Sequence, residues 1–354
     1  MRRFSRLLAF ALAAGILLAG SAAVAGPFAS ESDGVSPTAT VFRGWISGYL
    51  EFTQPNPSSG GYAHDDNGLF CAVSNAIVGR PGVFTLDGAT RHVLSLGNGG
   101  SIKLTFDMPI WNGPGPDFAV FENAFRDASD WTGTSREGST SHYTFAELAF
   151  VDVASETSHW ARFPVQCLNT GVLHAFNNLS QDRFTSQDVT LLDRVAGKHR
   201  IEYGTPFDLS VLTNHPDVLA GQVDLNAIHY VRLTDVVGDG STSDSVGRAI
   251  LDPYYDHDLG FPNPAPVATT DGFDLRAVGV INAAGLSITV GSGYPEMTWY
   301  AATGSTYQIQ YADGLGGWAD LGPPIAGDKA WHSLADATAA VRMYRYIETR
   351  PGGL

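Results

Sequence analysis

Apolar positions along this chain fall in short runs separated by Gly, Pro, Asn and Asp, and within the runs the period is nearer two than 3.6. Ile102, Leu104 and Phe106 alternate with Lys103, Thr105 and Asp107, the pattern of a strand with one buried face. Runs rich in β-branched and aromatic residues predict further strands over Phe118–Phe125, Phe145–Val153, Trp160–Val165, Ile228–Val237 and Phe273–Ile281. Short helices are expected only around Ser74–Val78 and Ser210–Leu219. Several strands joined by long, turn-rich loops predict an all-β fold, a jelly-roll or β-sandwich.

The strand pattern restarts after Asn282-Ala283-Ala284-Gly285, with LSITV at 286–290, TYQIQYA at 306–312 and VRMYRYIE at 341–348. That predicts a large β domain over 41–283 and a small β-sandwich over 284–354, near the lower size limit for independent folding. Residues 26–40 are small and polar and are expected to form a loose leader.

Arg2, Arg3 and Arg6 precede an apolar stretch from Leu7 to Leu18, and small residues end at Ala23-Val24-Ala25. In that order they predict a signal peptide over 1–25, cut near Ala25, and a secreted or periplasmic product. The apolar core is shorter than the roughly 20 residues that span a bilayer. Ser21 stands where a lipoprotein signal needs cysteine, so neither stable membrane insertion nor a lipid anchor at that site is expected.

The whole chain carries 21 basic and 36 acidic residues, net −15. Removing the three signal arginines leaves 18 basic against 36 acidic residues. Such a chain repels phosphate backbones, which argues against nucleic acid as a partner. The 19 Phe, 13 Tyr and 7 Trp suffice for real cores, and 40 Gly with 19 Pro favour turns over long helices. The two cysteines, Cys71 and Cys167, are expected to pair in an exported chain, a link contributing up to about 4–5 kcal/mol by loop entropy. The alternative is two buried thiols.

Three stretches carry a resemblance. They are SLGNGGSIKLTFDMPIWNGPGPDFAVFENAF (95–125), FAELAFVDV (145–153), and a group made of GTPFDLS (204–210), VDLNAIHYVRLTDVVGDG (223–240), AILDPY (249–254) and GFDLRAVGVIN (272–282). In this order, over roughly 60–283, they resemble a family of secreted bacterial cell-surface proteins whose module looks like the galactose-binding-like jelly rolls. The tail YQIQYADGLGGWADLGPPIAG (307–327) resembles a short immunoglobulin-like accessory module of exported proteins. Two departures stand out. Arg276 replaces an acidic residue of the family pattern GFDLDAV, which weakens an ion site at that strand. No sorting tail follows Leu354, which favours release over anchoring.

Acidic residues gather at 235–274, where Asp235, Asp239, Asp252 and Asp274 lie in Gly-rich turns, and Glu122 ends a predicted strand. Calcium takes six to eight oxygens from such loops, so these five are the candidate ligands of a structural calcium ion. Turn formation and solvated charge explain the same acids without a metal. Asp117, Glu122, Glu147 and Asp152 could supply a carboxylate pair for glycoside hydrolysis, although strand acids are more often structural. The ten histidines form no zinc or H-E-x-x-H spacing, and there is no G-x-S-x-G elbow or phosphate-binding glycine loop. Trp111, Trp131, Tyr143, Tyr254 and Tyr255 sit in or beside turns, where flat rings with polar neighbours can stack on sugar faces; capping the ends of the sandwich would use them equally well. The expected function is a non-catalytic, exported binding protein for carbohydrate or an envelope polymer. A structural matrix protein and a polysaccharide hydrolase are the alternatives. Nothing in the sequence predicts the oligomeric state.

Overall fold

A computed structural model describes residues 33–54, 72–77, 93–124, 143–144, 146–168, 174–175, 185–199, 203–251, 272–290, 293–301, 305–314, 316–328, 330–338 and 342–349. The protein is all-β; among the described residues helix is confined to single turns and every strand pairing is antiparallel.

The main sheet contains β1 (Gly44–Thr53), β2 (Leu94–Ser95), β3 (Ser101–Ile110), β4 (Phe118–Glu122), β6 (Ala149–Ala154), β7 (Ala161–Arg162), β12 (Thr205–Phe207), β13 (Ile228–Asp235) and β16 (Asp274–Val280). Their order is β12-β4-β16-β1-β3-β13-β6-β7, and β2 pairs with β16. Short ribbons attach to it. β5 (Tyr143–Thr144), β10 (Thr185–Asp188) and β9 (His174–Ala175) form one, β11 (Leu192–Asp193) pairs with β8 (Gln166–Cys167), and β14 (Asp239–Ser243) pairs with β15 (Ala249–Leu251).

The sheet curls. β1 pairs with β16 at Gly44 and Trp45, then with β3 from Ile46 to Thr53, through two register shifts. Such bulges bend a strand and raise its local twist. The curl lets both halves turn one face onto a single core. Val120, Phe118, Leu275 and Val278 enter it from the first leaf, and Ile102, Leu104, Val231, Leu233, Val151 and Val153 from the second. The two ends of the sheet then meet. Phe163, just past β7, lies 4.9 Å from Phe207 of β12, the strand at the opposite end. Phe118 stacks on Phe207 at 5.3 Å and meets Phe163 edge-on at 6.0 Å.

The outer face of the first leaf is covered too. Residues 33–40, expected as a loose leader, instead begin a strap that lies against this leaf, because Val35, Phe42 and Trp45 bury Ala119, Phe121 and Ala277. Val35 exchanges two backbone hydrogen bonds with Gly204, and the Phe42 and Trp45 rings fill the space that a side chain at Gly279 would need. The strap explains why β4 and β16 are buried on both faces.

The helix expected over Ser210–Leu219 is broken into a 3₁₀ turn, Leu209–Leu212, and an α turn, Pro216–Leu219. Pro216 has no N–H to continue the first turn and instead opens the second, capped by His215.

From Ser287 onward two further sheets face each other. β17 (Ser287–Val290), β18 (Pro295–Ala301) and β22 (Ala330–Ala335) form one. β19 (Thr306–Ala312), β20 (Ala319–Asp320), β21 (Ile325–Ala326) and β23 (Met343–Thr349) form the other. Met297, Trp299, Ala301, Tyr307 and Ile309 make their shared core. Trp111 meets Trp331 edge-on at 5.4 Å, and the Tyr300 hydroxyl donates to Asp224 at 2.7 Å, so a small seam joins this unit to the main sheet.

Replacing Phe163 with alanine removes the ring that joins the two ends of the sheet. A core Phe→Ala change costs about 3–5 kcal/mol. The expected result is a lower denaturant midpoint with an unchanged slope in urea unfolding.

Candidate functional site

The second leaf keeps part of its outer face open, while at Phe150 that face is covered by a second apolar cluster with Val165, Cys167 and Ile250. In β3, β13 and β6 the core residues Ile102, Leu104, Val231, Leu233, Val151 and Val153 alternate with Lys103, Arg232 and Asp152, so these three share the opposite, outer face. Register aligns them in one row across five strands: Glu51 opposite Lys103, Lys103 opposite Arg232, Arg232 opposite Asp152, and Asp152 opposite Arg162.

Asp152 anchors the row. Arg162 Nε and Nη2 donate to its two oxygens at 2.8 and 3.1 Å, and Arg232 Nε donates to Oδ2 at 3.1 Å. A buried carboxylate held by two guanidinium groups is a strong charge-assisted arrangement. Lys103 pairs with Glu51 and holds that carboxyl below its ordinary value.

Aromatic rings lie among these charges. The Arg232 guanidinium sits 4.6 Å from the Trp160 ring centre, and the Lys103 ammonium 6.0 Å from it. Tyr230 is 6.5 Å from Trp160, and Arg162 lies over Phe150 at 4.4 Å. Trp160 Nε1 donates to the Thr157 carbonyl at 3.0 Å, which fixes the indole. The result is a pre-set surface of rings and N–H donors on rigid strands, suited to a ligand with apolar faces and hydroxyl or acidic groups.

The residues expected to form sites are dispersed. Trp111 lies in the seam against Trp331. Trp131, Tyr254, Tyr255, Asp252 and Cys71 lie outside the described residues, and Tyr143 and Asp239 are described only by their strands, β5 and β14. Cys167 is buried on β8, and its backbone N–H donates to Asp244.

The described members of the calcium set are Glu122, Asp235 and Asp274. All three are buried, but among the described residues no three His, Cys, Asp or Glu side chains come together as a group that could hold a metal. Asp235 uses both oxygens on backbone N–H groups, Gly99 and Phe273, each at 2.7 Å.

Other conspicuous acids act in the same way. Asp117 accepts from Gly113 N and Asn282 Nδ2 at 2.8 Å and from Leu209 N at 2.7 Å, tying the ends of β4, β12 and β16. Burial still pushes its carboxyl up. Asp244 accepts from the N–H groups of Cys167, Val246 and Arg248 and from the Arg248 guanidinium. Burial opposes its ionisation, yet these donors prevail and hold the carboxyl down at about 2.

A second titratable cluster fastens the strap. Asp33 lies 3.2 Å from His199 Nε2 and 3.8 Å from Lys198 Nζ. Burial pushes the Lys198 amine down and the Asp193 carboxyl up. Lys198 and His199 are closed off from solvent, so the cluster serves as a clamp and not as a surface for a ligand.

No protein-family model matches the chain, and a search of curated proteins finds no match. The resemblance described above therefore rests on its motif order.

Trp160, Tyr230, Arg162 and Arg232 were not among the expected site residues. Their signal was present: Tyr230 and Arg232 alternate with Val231 and Leu233, which places both on the solvent face of a strand.

Asp244 supplies a pH test. Its folded-state carboxyl lies below the ordinary 3.8, so its stabilisation is complete above about pH 4 and is lost as pH falls toward 2. Asp244→Asn removes that titration. Its melting temperature is expected to fall less steeply than that of the unmodified protein across this window.

Proposed function

We propose that this is an exported, non-catalytic binding protein for carbohydrate or an envelope polymer, and that the ligand lies on the outer face of the second leaf. The observation that carries this reading is the row Glu51–Lys103–Arg232–Asp152–Arg162 with Trp160 and Tyr230 beside it. Rings stack on the apolar faces of sugars, and guanidinium and ammonium groups take hydroxyls or acidic substituents.

In this reading the curled sheet is a galactose-binding-like jelly roll and the small two-sheet unit an immunoglobulin-like spacer. The motif order and the antiparallel β architecture support both. The charged, apolar and small-residue order of the first 25 residues supports export. Binding without turnover is favoured over hydrolysis because Asp117 and Asp152, two of the acids available for a catalytic pair, have their oxygens engaged by N–H donors.

Affinity electrophoresis against a panel of neutral and acidic polysaccharides tests the reading. At least one polymer should retard the protein without release of reducing ends. Trp160→Ala should weaken that retardation by about tenfold or more, equivalent to ~1.4 kcal/mol. Equal retardation of the variant would remove this face from the reading, and failure of every polymer would favour a matrix role without a small ligand.

Export also favours a disulfide between Cys71 and Cys167. Mass spectrometry of unreduced peptides should find the two linked. Two alkylatable thiols in native protein would refute the pairing.

A further inference from the structure

We infer that β17 is an edge through which two copies of this chain join into one continuous antiparallel sheet. An exposed strand edge offers unpaired backbone groups to any other strand, and proteins blunt such edges with proline, charge, brevity or a cover. The other sheet-end strands of the main sheet and the small unit are blunted in these ways. β12 is three residues long and contains Pro206, and β7 is two residues long and ends in Arg162. β23 carries Arg345 and Glu348, and on β22 Trp331 packs against Trp111.

β17 is short but carries neither proline nor charge, and among the described residues no strand or loop pairs with its outer edge. It reads Ser-Ile-Thr-Val, ends its sheet, and is exposed at all four positions. Ile288 is 45 % exposed and Val290 70 %. Ile288 stands opposite Met297, a fully buried core residue, and Val290 opposite Pro295. Both β-branched side chains therefore point to the core side of their sheet, at the margin where the facing sheet no longer covers them.

A second copy fits this edge by symmetry. With a twofold axis at Thr289, Ile288 faces Val290 of the second copy and Thr289 faces its own counterpart. Residues directly opposite in an antiparallel pair share a face, so the apolar row continues across the axis on the core side. No like charges meet. β17 carries no charge, and the charged residue of β18, Glu296, stands opposite Thr289 one strand inward, so the two Glu296 are three strand spacings apart. That is roughly 14 Å at about 4.8 Å per spacing, beyond the ~8 Å screening length of physiological salt. Four residues make a small contact beside the roughly 1,200–2,000 Å² of a standard interface, so the dimer forms in a concentration-dependent way. Because the chain is acidic, added salt strengthens it.

Sedimentation velocity on the full chain, across a concentration series, tests the inference. The protein should shift from monomer to dimer as concentration rises. Val290→Lys should stay monomeric with an unchanged melting temperature, since Val290 is already exposed. Leu219→Lys, at an exposed position on the main unit, should dimerise like the unmodified protein. Under oxidising conditions Thr289→Cys should yield a disulfide-linked dimer on a non-reducing gel, and Ser287→Cys should not. A protein that is monomeric at every soluble concentration, or a Val290→Lys variant that still dimerises, overturns the inference. Equal crosslinking at 287 and 289 overturns the register.

Discussion

The contact of Phe163 with Phe207 joins strands that stand at opposite ends of the sheet order. Chain connectivity alone would allow an open sheet with one face on a core and two exposed edges. Closing it brings Phe118, Phe163 and Phe207 into one aromatic cluster and gives both leaves a shared interior. Three rings at 4.9–6.0 Å supply apolar contact between ends of the sheet whose strands β7 and β12 are only two and three residues long. The bulges in β1 allow the bend, and the aromatic cluster holds it.

Aspartates secure the loops that the curl creates. Asp235 joins the end of β13 to the glycine turn before β3 and to the start of β16, thereby pinning one leaf to the other. Asp117 does the same at the opposite end, and Asp244 holds the β14–β15 ribbon to β8. In the small unit Asp336 accepts from Thr338, Arg342 and Tyr344 and so ties the end of β22 to β23. Backbone N–H groups buried in tight turns need acceptors, and a carboxylate can satisfy several at once. A calcium ion and a staple both require carboxylates in Gly-rich loops, which is why the sequence at 235–274 suggested a metal and Asp235 turned out to accept backbone N–H groups.

The strands that were legible in the sequence are those with a regular period or a dense apolar run. β3 extends the expected 102–106 strand, and β13, β16 and β19 fall within a residue or two of their expected limits. β1 was not foreseen, because GWISGYLEFT contains two glycines and its bulges break the alternation that marks a strand. The expected strand over Trp160–Val165 is confined to Ala161–Arg162; Phe163 just beyond it still donates its N–H to the Val151 carbonyl while its ring joins the closing cluster. The open face was hidden for a different reason. Aromatics beside turns stand out in a sequence, whereas Trp160 and Tyr230 become neighbours only when β13, β6 and β7 are placed side by side, a long-range fact that no local pattern contains.

Closure also decides where a ligand can go. The inner faces of both leaves are used by the core, and the outer face of the first leaf lies under the strap held by Asp33, Lys198 and His199. Trp111 faces the small unit. Among the described parts of the main sheet, the part of the second leaf's outer face beyond the Phe150 cluster is what remains open, and there cations, carboxylates and rings are held in register. Its neighbours Val151, Val153, Val231 and Leu233 are fixed in the core, so the strands that carry it cannot shift without opening the interior. Rigidity of this kind lowers the entropy lost when a ligand is ordered, so the packing that closes the sheet also holds the row of charges and rings in a fixed arrangement.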